Sequence, residues 1–178
     1  MVNEKDLILQ SQKGNKEAFC ALMEAHQGRI YALCFKYMQN THDASDAAQE
    51  AILKIYLNIT KFRFASNFST WAYRIAVNAC VDMLRKRRDT VPLEDFGHTS
   101  SFGNPDADVL YAEFKAGLAR AVTALPQKDK SMIILRDMEH KSYEDIAEIL
   151  GVPVGTVKSR LARAREKLKK MLQSHHLL

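Results

Sequence analysis

Lys158, Ser159, Ala162 and Arg163 stand at relative spacings of one, four and five residues in GVPVGTVKSRLARAREKLKK, residues 151–170. At about 100° per residue these four share one side of a helix. Lysine and arginine donate to guanine O6 and N7 or to a phosphate, and a serine hydroxyl serves either purpose. Gly155 points the same way and leaves room for another backbone, with Thr156 beside it. Val157, Leu161, Ala164 and Leu168 form a narrow apolar stripe on the other side. Seven Lys or Arg against one Glu surround that stripe. The chemistry is that of a half-buried helix made to enter a DNA major groove. Arg160, Arg165, Lys167, Lys169 and Lys170 are expected to meet backbone phosphates or stay solvated.

A second group lies in KFRFASNFSTWAYRIAVNACVDMLRKRR, residues 61–88. Asn78 offers a bidentate amide to a base, while Arg74 and the run RKRR at 85–88 offer phosphate contacts. Phe62, Phe64 and Phe68 alternate with Lys61 and Arg63. Rings among cations suit unstacked bases of single-stranded DNA. The same rings suit an ordinary core equally well; Phe62 is expected to pack inward in either case. A third group is acidic. On a helix from Asp43 to Ile59, one side carries Ala44, Ala48, Ala51, Ile52, Ile55 and Ile59. The other carries Asp46, Gln49, Glu50, Leu53 and Leu57. That second face is either another packing contact or a docking surface for a basic partner.

The elements that must hold these groups follow from periodicity. Gly and Pro are scarce, apolar spacing is three to four, and an all-α chain is expected. A helix over residues 16–38 buries Phe19, Leu22, Met23, His26, Ile30, Leu33, Cys34 and Tyr37. Thr41 or Asp43 is expected to cap the acidic helix, and Ser69-Thr70 a helix from Trp71 to Arg87. The latter buries Ala72, Tyr73, Ala76, Val77, Cys80 and Leu84. A helix from about Ala107 to Leu125 precedes Pro126 and the apolar Ile133, Ile134 and Leu135. Ser142 caps a helix from Tyr143 to Leu150, buried through Ile146, Ala147 and Leu150. Gly151 leaves that helix at positive φ, Val152-Pro153 turns, and the basic helix begins: a helix-turn-helix.

Residues 89–108 hold two Pro, two Gly and five acids with no Lys or Arg. This composition is a linker, and it divides the 178 residues into a unit of 1–88 and a unit of 109–178. The net charge of +5 permits an anionic partner. Cys20, Cys34 and Cys80 are too scattered for a zinc site or disulfide framework, and buried free thiols are expected. No stretch approaches the roughly 20 apolar residues of a membrane span, so a soluble, cytoplasmic protein without cofactor or metal is expected.

DASDAAQEAILKIY, FRFASNFSTWAYRIAVNACVDMLRKRR and YEDIAEILGVPVGTVKSRLARAREKL resemble, in this order, regions 2.2, 2.3–2.4 and 4.2 of the extracytoplasmic-function group of bacterial RNA polymerase sigma factors. The resemblance implies that 1–88 is region 2 and 109–178 is region 4. It implies docking of Asp46, Gln49, Glu50 and Leu53 on the β′ clamp of core polymerase. It implies recognition and melting of the minus-ten element by Phe62, Arg63, Phe68, Trp71, Arg74, Asn78 and Asp82. It implies reading of the duplex minus-thirty-five element through Gly155, Thr156, Lys158, Ser159, Ala162 and Arg163. A region 4 contact to the β-flap, a linker directed to the RNA exit path and an anti-sigma partner are implied as well. Two positions depart from the group. Phe64-Ala65 replaces a common glycine and acid, and His140-Lys141 replaces a common glycine and apolar residue.

Two rivals differ in class. A DNA-processing enzyme would use Asp43, Asp46 and Glu50 as a metal cluster, but no further His or acid completes such a site. A dimeric repressor would need a self-association seam, and none is evident.

Overall fold

The computed structural model describes residues 3–90 and 109–174, with side chains over 3–87 and 113–174. Every regular element among them is helical, and the chain divides into two units near residue 91. No helix among the described residues is long and apolar enough to cross a membrane.

In the first unit, asparagine starts three helices. Asn3, Asn15 and Asn40 each turn a side-chain oxygen to an amide of the first turn of α1 (Glu4–Gln12), α2 (Lys16–Met38) and α3 (Thr41–Asn58). Such a cap contributes about 1 kcal/mol. The cap of α3 is therefore Asn40, not Thr41 or Asp43; the Asp43 N–H is the donor to it, at 2.8 Å. A 3-10 turn, Ile59–Lys61, leads to the aromatic loop and to α4 (Phe68–Thr90). This helix starts before the expected Trp71. The Trp71 N–H already donates to the Asn67 carbonyl at 3.2 Å, so Ser69 and Thr70 lie inside the first turn rather than capping it. It also runs on to Thr90, into the stretch expected to be linker. The rest of that stretch, 91–108, lies outside the described residues.

Helices α2, α3 and α4 pack on one another, and α1 lies on α2. Ala44, Ala47, Ala48 and Ala51 give α3 a nearly smooth buried face, which lets its neighbours approach closely. Ala47 takes the inner place expected for Ile52, which is half-buried. Leu22, Ile30, Leu33, Cys34 and Tyr37 of α2 meet Ala72, Tyr73, Ala76, Val77 and Cys80 of α4 in the core. Full burial of each large apolar side chain is worth about 1.5–3 kcal/mol. Cys20 is the exception among the thiols: it is exposed, one residue off the inner face marked by Phe19.

The second unit contains α5 (Val109–Ala124), α6 (Gln127–Ile133), a π-type turn (Ile134–Met138), α7 (Tyr143–Leu150) and α8 (Val154–Ser174). Pro126 opens α6, its carbonyl accepting from the N–H groups of Asp129 and Lys130. Leu125, Met132, Ile134, Leu135, Ile146, Ile149, Val157 and Leu161 make the core. Two inner faces are shifted from expectation. In α7, Ile149 is buried where Ala147 and Leu150 were expected, and those two are half-buried. In α8, Leu172 is buried while Leu168 is only half-buried. The π-type turn closes with the Glu139 N–H on the Ile134 carbonyl at 2.9 Å. His140 then turns the chain at φ +54°.

Candidate nucleic-acid interfaces

The first helix of the helix-turn-helix, α7, is fixed at both ends. Ser142 Oγ accepts the Asp145 N–H at 3.0 Å and donates to the Asp145 carboxylate at 2.7 Å. At the far end Gly151 is left-handed, φ +64°. Its N–H reaches the Glu148 carbonyl, and the Val152 N–H reaches the Ala147 carbonyl. These two bonds make a Schellman closure, for which glycine is the residue of lowest strain. The turn sends α8 off with Val157, Leu161 and Ala164 buried and Lys158, Ser159, Ala162 and Arg163 exposed together on the opposite side. A Cβ on Gly155 would meet nothing within 4 Å. Gly155 is therefore not demanded by the unit's own packing, and the space beside it is open.

Some of the basic residues have internal work. The Arg165 guanidinium grips both oxygens of Asp137, and that hydrogen bonding holds its pKa above the ordinary arginine value. Lys167 Nζ donates to Asp129 at 2.5 Å. Both side chains stay about half exposed, as the expectation of phosphate or solvent allows, while they tie α8 to the π-type turn and to α6. Ser159 Oγ donates to the Thr156 carbonyl and Arg163 Nε to the Ser159 carbonyl, at 3.2 and 3.3 Å. Those are local, exposed bonds that an incoming acceptor can replace.

In the first unit, α4 presents a row at spacings of three and four. Trp71 is half-buried, Arg74 and Asn78 are exposed, and Asp82 is half-buried with its carboxylate accepting from Arg85 at 3.1 Å. Arg63 of the preceding loop is exposed as well. Phe62 and Phe68 are different. They are only 5% and 2% exposed. Their rings lie 5.6 Å apart edge to face, and Trp71 touches both. They cannot offer a face to a base in this conformation; they are the floor on which the loop rests. The open ring is Phe64, 40% exposed.

The floor is held by a helix that sequence periodicity did not reveal. Gln12 Nε2 in α1 donates to the carbonyls of Ile59 and Phe62, at 3.0 and 2.8 Å, clasping the chain where it enters the loop. His26 is buried, stacks edge-on against Phe68, and has its Nε2 3.2 Å from Glu4 of α1. α1 buries little beyond Ile8, so its apolar signal is weak. Its only advance sign is the capping Asn3.

The acidic face of α3 is free of the core. Leu53 and Leu57 are 52% and 64% exposed, beside exposed Asp46, Gln49 and Glu50. The three carboxylates proposed by the enzyme rival do not form one cluster: Asp43 pairs with Arg87 of α4, Glu50 with Lys54, and Asp46 lies 3.3 Å from His42, whose ring is also 4.0 Å from Asp43.

The family model Sigma-70 region 2 matches residues 22–90, and Sigma-70, region 4 matches residues 116–168. The chain is 36% identical to the ECF RNA polymerase sigma factor SigW of Bacillus subtilis (strain 168), covering 95% of this chain and 96% of that protein. It is 35% identical to the ECF RNA polymerase sigma-E factor of Haemophilus influenzae, covering 97% and 96%. The solved sigma factor RpoE in complex with the anti-sigma factor NepR, from Bartonella quintana, is similar with a TM-score of 0.67 and 26% identity, over 87% of this chain and 96% of that one. With both regions matched in order and relatives similar along nearly the whole length, the chain belongs to the ECF sigma factors, the promoter-directing subunits of bacterial RNA polymerase.

Proposed function

We propose that the two units of this sigma factor read one promoter in two physical states. The second unit, 109–178, reads the minus-thirty-five element as duplex, with α8 in the major groove. The observation that carries this is the exposed set Lys158, Ser159, Ala162 and Arg163, aimed outward by a glycine turn and a buried Val157–Leu161–Ala164 stripe. Gly155 and Thr156 at the helix start give the phosphate backbone room to come near. The first unit, 1–88, captures the minus-ten element once its strands part. Asn78 reads a base edge, Arg74 and Arg63 hold phosphates, and Trp71 and Asp82 shape the row. Phe62 and Phe68 act from beneath, as support for the loop.

Leu53 with Asp46, Gln49 and Glu50 docks on the β′ clamp of core polymerase: apolar anchors set among carboxylates fit a basic helical partner. Region 4 also meets the β-flap. Nucleotide addition stays with the polymerase, so the chain works where that enzyme does, in the cytoplasm, as a specificity subunit without turnover of its own. The Bartonella relative is held by an anti-sigma factor, and a partner of that kind is proposed here too.

The test is transcription by purified core polymerase on genomic fragments, with start sites mapped. New start sites on adding this chain, lost with Leu53→Asp, support the reading. Unaltered transcripts, or nicking of labelled DNA by the chain alone with Mg²⁺, refute it.

A further inference from the structure

Phe64 stands out on three counts. It sits at φ +58°, a left-handed conformation that costs a side chain with a Cβ and that glycine adopts freely. It is one of the few large apolar side chains left exposed among the described residues. It is also the outer member of a graded aromatic stack, its ring 4.9 Å from that of Phe62, which in turn packs on Phe68 and Trp71. Backbone strain at an exposed ring is retained where the ring has a task. The surroundings suggest which task. Lys5 Nζ of α1 lies 5.9 Å from the ring centroid, and Arg63 is exposed next in sequence. A flat apolar face, backed by the Phe62 ring, with the Lys5 cation over it and an exposed arginine next in sequence, matches an unpaired base joined to its phosphates.

We propose that Phe64 is a stacking platform for one unpaired base of the opened promoter strand, distinct from the base read by Asn78, and that it sets which bases this sigma factor tolerates there. The proposal rests on the reading of the first unit as the minus-ten surface. Stacking gains most from a purine, whose π-face is larger, so a purine is favoured at that position. Lys5 then shifts from the ring to the neighbouring phosphate.

The test uses full-length chain bound to core polymerase and a fork-junction DNA whose unpaired strand carries the minus-ten element. Each unpaired position is replaced in turn by an abasic site. With wild-type protein, the abasic site opposite Phe64 weakens binding by roughly tenfold, the scale of one base–aromatic stack. Phe64→Gly, which keeps the left-handed turn without strain, weakens the intact fork by a similar factor and abolishes sensitivity at that one position. Phe64→Tyr restores both. Melting curves of the variants confirm that the unit stays folded. If Phe64→Gly binds the intact fork as well as or better than wild type, or leaves the abasic profile unchanged, Phe64 is no platform. In that event wild-type binding of the fork, and its loss with Asn78→Ala, leave the function of the unit standing. Failure of the wild-type complex to retain any fork DNA removes both.

Discussion

Gly151 and Phe64 answer the same backbone requirement in opposite ways. Both occupy the left-handed region, at φ +64° and +58°. At Gly151 the turn only has to connect α7 to α8, and the residue without a Cβ makes it at little strain. At Phe64 the turn has to hold a ring above an aromatic floor, and strain of about 1–2 kcal/mol is retained to do so. The comparison extends to the units. In the proposed function the second unit reaches DNA through a regular helix whose orientation comes from buried aliphatics. The first is proposed to reach it through α4 and an irregular loop whose shape comes from buried rings and from the Gln12 clasp. A rigid helix suits a duplex of fixed groove, whereas a supported loop suits bases that leave their stack.

The largest effect that sharpens this contrast is on the floor. Phe68→Ala is expected to destabilise the first unit by about 3–5 kcal/mol, read as a lower thermal midpoint for that unit's transition. Arg63→Ala, on the exposed loop surface, leaves that midpoint in place. A floor that tolerates Phe68→Ala breaks the distinction between supporting and presented rings. Next in size is Lys158→Ala, which weakens duplex binding by about 1–3 kcal/mol if it meets a base edge. It lowers the salt slope of binding by about one if it meets a phosphate. Titration of a minus-thirty-five duplex at several salt concentrations separates the two, and stability stays unchanged because Lys158 is exposed. Smallest are a matched pair in the turns. Gly151→Ala lowers stability by about 1 kcal/mol, since its added Cβ meets no neighbour and only the backbone objects. His140→Gly, at φ +54° on an exposed side chain, raises it by a similar amount. Denaturant midpoints for the two must move in opposite directions.

Much of this was legible in the residues. The helix-turn-helix could be read to within a residue because capping Ser142, turning Gly151 and the Val157–Leu161–Ala164 stripe all point the same way. The two-faced α3 was legible because alanines and acids alternate at helical period. The fate of the phenylalanines was not, because composition is the same for a floor and a platform; only three-dimensional packing separates Phe62 and Phe68 from Phe64. Cys20 and Ile52 show the related limit, since one helical step takes a residue out of the core, to the surface for Cys20 and to its margin for Ile52. Helix α1 escaped because its contribution is two side-chain amide bonds and a Glu4 contact to His26 rather than a broad apolar face. The pairings of Arg165 and Lys167 were not legible, because a cation's partner across the fold, Asp137 or Asp129, leaves no local mark. The departures at Phe64 and His140 proved to be informative: both replace an expected glycine, and both sit at positive φ.

The division of labour between the units is tested most directly by permanganate reactivity of unpaired thymines on a promoter bound by core polymerase with this chain, beside a footprint of the upstream duplex. Asn78→Ala should leave the upstream footprint and remove most of the reactivity near minus ten, while Lys158→Ala with Arg163→Ala should weaken the footprint first. Full strand opening with Asn78→Ala, or loss of the upstream footprint from that change alone, would contradict the account.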